Sequence, residues 1–254
     1  MHRIFPLTVV LALLAAPLGA QSLAQRLQAA GDGTLRLSFA SRPGVCGSST
    51  GHGHSITIQD DGDEDDEWQG DCERGPVRVS LRISGRRITG AETRVGGRWR
   101  EARAGVTDLG VVPAREAAAL LLELVPQAGG DGAELITAAT LADSAVVWPS
   151  LLRLARDGGL PMDTRRQAVF WLSQASGDAA TRGLDSIAVD DRGDLEVREH
   201  AVFALSQRPA AEGVPVLIRI ARTNPHPELR RKALFWLGQS DDPRALALFE
   251  ELLQ

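Results

Sequence analysis

The C-terminal half of the chain repeats one apolar pattern three times. Residues 168–172 (AVFWL) return as AVFAL at 201–205 and as ALFWL at 233–237, at spacings of 33 and 32 residues. A period of about 20 to 50 residues is typical of a supersecondary unit stacked on copies of itself. The pattern therefore predicts a repeat architecture for this half of the protein.

The flanks of each copy decide between a buried strand and a buried helix, which five consecutive apolar residues alone do not distinguish. An acid, a spacer and an arginine precede each copy, starting at Asp163, Glu196 and Glu228. An acid in the first turn suits the positive end of the helix dipole, and a glycine or proline soon after each copy ends the helix. The flanks predict three helices. Their arginines are expected either to pair with acids of neighbouring repeats or to face a partner.

A second, leucine-rich helix keeps the same period. Residues 151–156 (LLRLAR) match 217–222 (LIRIAR), and 184–189 is a more degenerate copy. This combination over residues 133–254 resembles HEAT-like repeats, in particular the short bacterial kind named after phycobilisome lyases. The resemblance implies a solenoid of helix pairs whose long surface holds partners. The pigment attachment of those lyases is not transferred, because the start of this chain predicts export.

Residues 34–100 instead alternate apolar with polar positions, which predicts half-buried strands. The alternation runs through 35–39, 55–59 and 77–83, and Ser84-Gly85 predicts the turn of a hairpin. The chain is therefore predicted to be mainly α, with a small antiparallel β-domain preceding a HEAT-like α-solenoid of helix pairs. The predicted boundaries are 21–104 for the small α+β, β-rich domain, 105–132 for a linker and capping helix, and 133–254 for the helical repeats.

Residues 1–20 combine a positively charged start, an apolar core and a small-residue exit. This order is typical of a secretory signal peptide of the bacterial type. Cleavage is predicted after Ala20, with a cut after Ala24 as the alternative. No later apolar run reaches the roughly 18 residues that a membrane span needs. We therefore predict a periplasmic or secreted protein with no membrane span in the mature chain.

Composition narrows the function further. The chain has 254 residues, 43% of them hydrophobic, and a net charge of −5. This apolar content is enough for a core, and the charge does not favour a nucleic-acid partner. No Ser-His-Asp, Cys-His or paired-carboxylate arrangement occurs at a readable spacing, so we predict no enzyme, no catalytic residue and no cofactor.

Cys46 and Cys72, the only cysteines, both fall in the β-domain. In an exported chain such a pair predicts a disulfide, with two free thiols as the other interpretation.

An acidic run at 60–67 follows two histidines and suggests a cation site. Its oxygen ligands suit calcium, and the imidazoles suit zinc or copper. The candidate ligands are His52, His54, Asp61, Asp63 and Asp65. The run lacks the glycine and the final glutamate of an EF-hand loop, so a solvated loop is the competing interpretation. A calcium- or zinc-responsive binding module through residues 52–67 is accordingly the alternative function.

Four arginines on the leucine-rich helices are the candidate partner-binding residues. They are Arg153, Arg156, Arg219 and Arg222. The resemblance implies that these helices line the concave face, where a basic stripe interrupted by Asp185 and Asp190 suits an acidic peptide. A solvated helix face is the other interpretation. The predicted function is a non-enzymatic, exported scaffold that binds an unidentified protein or peptide on the concave face of residues 146–254.

Overall fold

A computed structural model describes residues 22–50, 53–58 and 72–253. The strands in these ranges are β1 (Gly33–Phe39), β2 (Val45–Thr50), β3 (Gly53–Ile58), β4 (Glu73–Arg74), β5 (Val77–Ser84), β6 (Arg87–Val95) and β7 (Val106–Val111). The helices are α1 (Leu23–Ala29), α2 (Ala114–Leu124), α3 (Gly132–Thr140), α4 (Trp148–Arg156), α5 (Met162–Ser173), α6 (Asp178–Ala188), α7 (Leu195–Ser206), α8 (Ala210–Thr223), α9 (Pro227–Leu237) and α10 (Pro243–Leu252). Two short 3₁₀ turns, Val125–Gln127 and Gly129–Asp131, connect α2 to α3.

The first half of the described chain forms two small sheets. In the four-stranded sheet the order is β6-β5-β1-β7, and in the three-stranded sheet it is β3-β2-β4. Strands β6, β5 and β1 pair antiparallel, and Leu37 of β1 lies opposite Val79 of β5, both fully buried. The predicted hairpin turn is present between β5 and β6, where Gly85 and Arg86 both adopt positive φ. Positive φ at both turn residues gives the twist that a two-residue hairpin needs.

The linker predicted to begin at residue 105 is wrong in part. Strand β7 (Val106–Val111) lies there and pairs parallel with β1, so the sheet continues past the predicted boundary at residue 104 and is mixed at one edge. The sequence conceals this strand because Leu109 is its only buried residue. Gly105 and Gly110 flank and interrupt it, and glycines in a short segment favour a loop assignment.

The second half of the chain stacks its helices in two rows. We name α3, α5, α7 and α9 the inner row and α4, α6, α8 and α10 the outer row. Successive inner-row helices pack much closer together than successive outer-row helices. Ala168, Ala201 and Ala233 are fully buried on α5, α7 and α9, where small side chains permit this approach. Because the repeat spacing is shorter on one side, the stack curves towards the inner row.

The three repeated apolar segments are therefore helices, as the sequence predicts, and they share one continuous core with the sheet. Helix α3 packs on β6. Two carboxylates at its start accept hydrogen bonds from the strand: Asp131 from the backbone N–H of Ala91 at 3.3 Å, and Glu134 from that of Thr93 at 2.8 Å. These bonds satisfy backbone donors that an edge strand otherwise leaves unpaired.

Two of the arginines that begin the repeated helices are buried and link neighbouring helices. Arg165 pairs with Asp194 of the next repeat at 2.5 Å, which confirms the predicted pairing for this position. Its Nε donates to the carbonyl oxygen of Ala155 at 3.4 Å, and Arg198 donates in the same way to Ala188 at 3.2 Å. Each bond satisfies a carbonyl at the end of the preceding outer-row helix. These arginines hold the stack together.

Another buried arginine, Arg208, ties the start of α8 to the turn between α5 and α6. Its guanidinium donates to the carbonyl oxygens of Ser173 at 2.9 Å and Gly177 at 3.0 Å, and it pairs with Glu212 at 2.9 Å. Hydrogen bonds from Thr181 and then from Arg208 lower the pKa of Glu212. The sequence does not single out this residue, because Arg208 precedes its helix and has no repeated equivalent.

The predicted disulfide is present between Cys46 and Cys72, whose Cα atoms are 5.3 Å apart across a sequence separation of 26 residues. It joins β2 to the residue that immediately precedes β4. A cross-link over a loop of this length restricts the unfolded chain.

Reduction of this disulfide is expected to lower the free energy of unfolding by about 3 kcal/mol, because the open unfolded chain gains loop entropy. Urea unfolding of the oxidised protein, the reduced protein and the Cys46→Ser/Cys72→Ser variant measures the loss. The reduced protein and the double variant should behave alike. Equal midpoints for the oxidised and reduced proteins would contradict the prediction.

Arg208→Met is expected to lower the free energy of unfolding by about 3 kcal/mol, because buried carbonyl oxygens and a carboxylate lose their donor. The matched control is Arg182→Met on α6, whose guanidinium forms an exposed pair with Asp178. Exposed pairs contribute at most about 1 kcal/mol. Urea unfolding at neutral pH compares the two variants, and losses of similar size would show that Arg208 is not a structural link.

Candidate functional site

The four arginines predicted to bind a partner lie on α4 and α8, and three of them contact a neighbouring helix of the outer row. Arg156 donates to Ser186 Oγ at 2.7 Å. Arg219 pairs with Asp185, and Arg222 pairs with Glu251. Arg153 is exposed and forms no ion pair or side-chain hydrogen bond with the described residues.

The packing of the helices favours the opposite side of the stack from the one implied for these arginines. They belong to the outer row, where successive helices are more widely spaced. Each leucine-rich helix packs most closely on the repeated helix that follows it, so a repeat consists of a leucine-rich helix and then an inner-row helix. The expectation reversed the order of the two helices within a repeat. A role of the arginines in binding stays a prediction.

The inner row presents aromatic side chains instead. Phe170, Phe203 and Phe235 occupy equivalent positions on α5, α7 and α9, and Phe170 and Phe235 are 39% and 56% exposed. Trp236 of α9 is half-buried and reaches across to Phe203 of α7, with ring centroids 5.0 Å apart. We name these four side chains together with His200 the aromatic row. His200 lies 5.7 Å from the Phe203 ring, centroid to centroid.

Charged side chains border the aromatic row at the starts of the same helices. Arg166 of α5 pairs with Glu196 of α7 at 3.1 Å, and Lys232 of α9 pairs with Glu199 of α7 at 2.7 Å. Burial lowers the pKa of His200, and the positive charges of Arg166 and Lys232 lower it further. These effects favour the neutral form of the His200 imidazole. An apolar centre with a charged border is the usual organisation of a protein-binding patch.

A separate cleft of about 600 Å³ lies between the two sheets. The guanidinium carbons of Arg36 and Arg78 lie 5.3 Å and 5.9 Å from the ring centroid of Trp99 in its wall. Arg36 pairs with Asp108 at 2.8 Å, and Arg78 donates to the carbonyl oxygen of Gly97 at 2.7 Å. Protein acceptors within the four-stranded sheet and the residues after β6 therefore already engage these two guanidinium groups.

The predicted cation ligands fall mostly outside the described residues. This applies to His52, Asp61, Asp63 and Asp65, and the signal-peptide residues 1–20 lie outside as well. His54 lies on β3, where it is the register partner of Ser49 on β2. Among the residues with described positions, no group of three or more His, Cys, Asp or Glu side chains is placed to hold a metal ion.

None of the described helices is long and apolar enough to cross a membrane.

Comparison with known proteins identifies the repeats. A family model for HEAT repeats matches residues 181–254, from within α6 to the end of the chain. No curated protein and no solved structure matches the chain. HEAT repeats are generally protein-interaction scaffolds and are typically non-enzymatic. The match shows HEAT repeats in residues 181–254 and, together with the repeated pairs of helices, supports a HEAT-like repeat protein.

Proposed function

We propose that this protein is an exported, non-enzymatic scaffold that holds a protein or peptide partner on the aromatic row. The observation that carries the proposal is the exposure of Phe170 and Phe235, at 39% and 56%, on the inner side of the curved stack. Large aromatic side chains at equivalent positions of successive repeats offer anchors at a regular spacing. A partner that covers them removes apolar area from water.

The composition of the aromatic row supports a protein partner over a small molecule. Aromatic residues dominate the energetics of protein interfaces when charged groups at the border exclude water around them. The ion pairs Arg166–Glu196 and Lys232–Glu199 carry both signs of charge, and their side chains are partly exposed. Mixed charge at the border aligns a polypeptide without demanding one sign of net charge.

If the partner binds the inner row, it should cross-link from positions on that row. A photoreactive phenylalanine analogue at position 235 should form reproducible protein cross-links in the producing cells. The same analogue at position 153, on the outer row, should not. Phe170→Ser and Phe203→Ser should each weaken the cross-link from position 235, because each removes an aromatic anchor. Gel analysis and mass spectrometry of the cross-linked products measure the outcome.

Cross-linking from position 153 also tests the sequence-based prediction that the arginines of the outer row bind the partner. Cross-links from position 153 alone, abolished by charge reversal at Arg153 and Arg219, would place the partner on the arginines instead. Cross-links from neither position would contradict the scaffold proposal. Phe170→Ser changes a partly exposed side chain, so its melting temperature should stay close to that of the unaltered protein and separate loss of binding from unfolding.

Export is supported by the pattern of residues 1–20 and by the disulfide between Cys46 and Cys72. The start of α1 favours the first of the two predicted cleavage points. Ser22 caps α1 by accepting a hydrogen bond from the backbone of Gln25, whose side chain accepts one from the backbone of Ser22. Cleavage after Ala24 removes this cap, and cleavage after Ala20 keeps it.

The mature protein is therefore expected to begin at Gln21 and to occur outside the cytoplasm. N-terminal sequencing of the protein from a periplasmic extract and from the culture medium checks both statements. Recovery of the chain only in the cytoplasm, with its first 20 residues intact, would contradict export.

A further inference from the structure

A groove of about 330 Å³ lies where the sheet meets the first helices of the stack. Arg42, in the turn between β1 and β2, forms one wall, and Trp171 and Gln174 at the end of α5 form another. The connection between α3 and α4 supplies an apolar edge with Val146, which is 77% exposed, followed by Trp148 at the start of α4.

The backbone around Arg42 is fixed in place. Its N–H donates to the carbonyl oxygen of Leu141 at 2.8 Å, and Ser41 forms an isolated β-bridge with Ala142. The turn that carries Arg42 is therefore bonded to the connection that forms the opposite edge. A rigid groove binds with little loss of conformational entropy.

The guanidinium of Arg42 is half-buried, and no acid among the described residues compensates its charge. Its carbon lies 5.7 Å from the ring centroid of Trp171. Burial lowers the pKa of Arg42. No described acid pairs with it, and its side chain donates no hydrogen bond to a described residue, whereas the buried Arg165 and Arg208 both have carboxylate and carbonyl acceptors. A partly desolvated cation without an acceptor gains from an incoming anion.

The groove also continues the aromatic row. Trp171 and Phe170 are adjacent on α5 and meet edge to face, with ring centroids 5.3 Å apart. A polypeptide that runs along the row from α9 to α5 consequently arrives at Arg42.

We propose that this groove receives a carboxylate of the partner polypeptide, from an aspartate, a glutamate or the chain end, beside a large apolar residue. Arg42 binds the carboxylate, and Val146 and Trp148 pack against the apolar neighbour. This inference rests on the proposed scaffold function and gives the partner a direction, with its acidic end towards the sheet.

A random peptide library displayed on phage tests the proposal against the immobilised, oxidised, mature protein. Selected peptides should share an aspartate, a glutamate or a free carboxyl end next to a leucine, isoleucine, valine or aromatic residue. For the best synthetic peptide, Arg42→Gln should raise Kd by at least about tenfold, and Arg42→Lys should raise it less. Replacement of the acid by its amide should weaken binding equally, with no further loss in the Arg42→Gln protein.

Arg115→Gln is the matched control, because Arg115 is an exposed arginine on α2, away from the groove. The Arg115→Gln protein should bind the peptide with the same Kd as the unaltered protein. Circular dichroism and thermal melting establish that Arg42→Gln and Arg42→Lys stay folded. Two results would overturn the groove assignment and leave the scaffold function standing. In the first, the selected peptides depend on Phe235 for binding yet lack an acid; in the second, they bind the Arg42→Gln protein with unchanged Kd. A library that yields no peptide would count against both.

Discussion

The close approach of α5, α7 and α9 is the constraint on which the rest of the stack depends. Alanines at 168, 201 and 233 are fully buried on these three helices, where they occupy little side-chain volume. A larger residue at any of these positions would overpack the core. The close approach of α7 and α9 is also seen at the surface, where the Phe203 and Trp236 ring centroids are 5.0 Å apart.

The arginines of this protein have two distinct structural roles. Arg165, Arg198 and Arg208 are buried and donate to carbonyl oxygens at helix ends, which apolar side chains cannot satisfy. The arginines of the outer row instead form ion pairs between helices at the protein surface, where exposed ion pairs contribute little free energy. Arg42 differs from both groups, because it is partly desolvated and lacks an acceptor among the described residues. This difference singles it out as a binding group.

The sequence predicted the repeated helices because their period and flanking residues are local signals that survive in each copy. It also predicted the central strands, which alternate clearly, and the disulfide. It did not predict β7, whose single buried residue leaves almost no alternation. Nor did it reveal which row is inner, since curvature depends on distances between repeats. The groove at Arg42 was equally hidden, because Arg42 and Trp171 lie 129 positions apart in the chain and meet only after the sheet docks on the helices.

The hydrogen bonds that the Asp131 and Glu134 carboxylates accept from β6 limit how the sheet and the stack can be extended. The bonds to Ala91 and Thr93 occupy two backbone donors of the edge strand β6, which makes this edge a poorer template for pairing with another chain. The same docking closes the solenoid at its first end. Because α3 packs on β6, a further helix pair has no place to stack between the sheet and the first helix of the inner row.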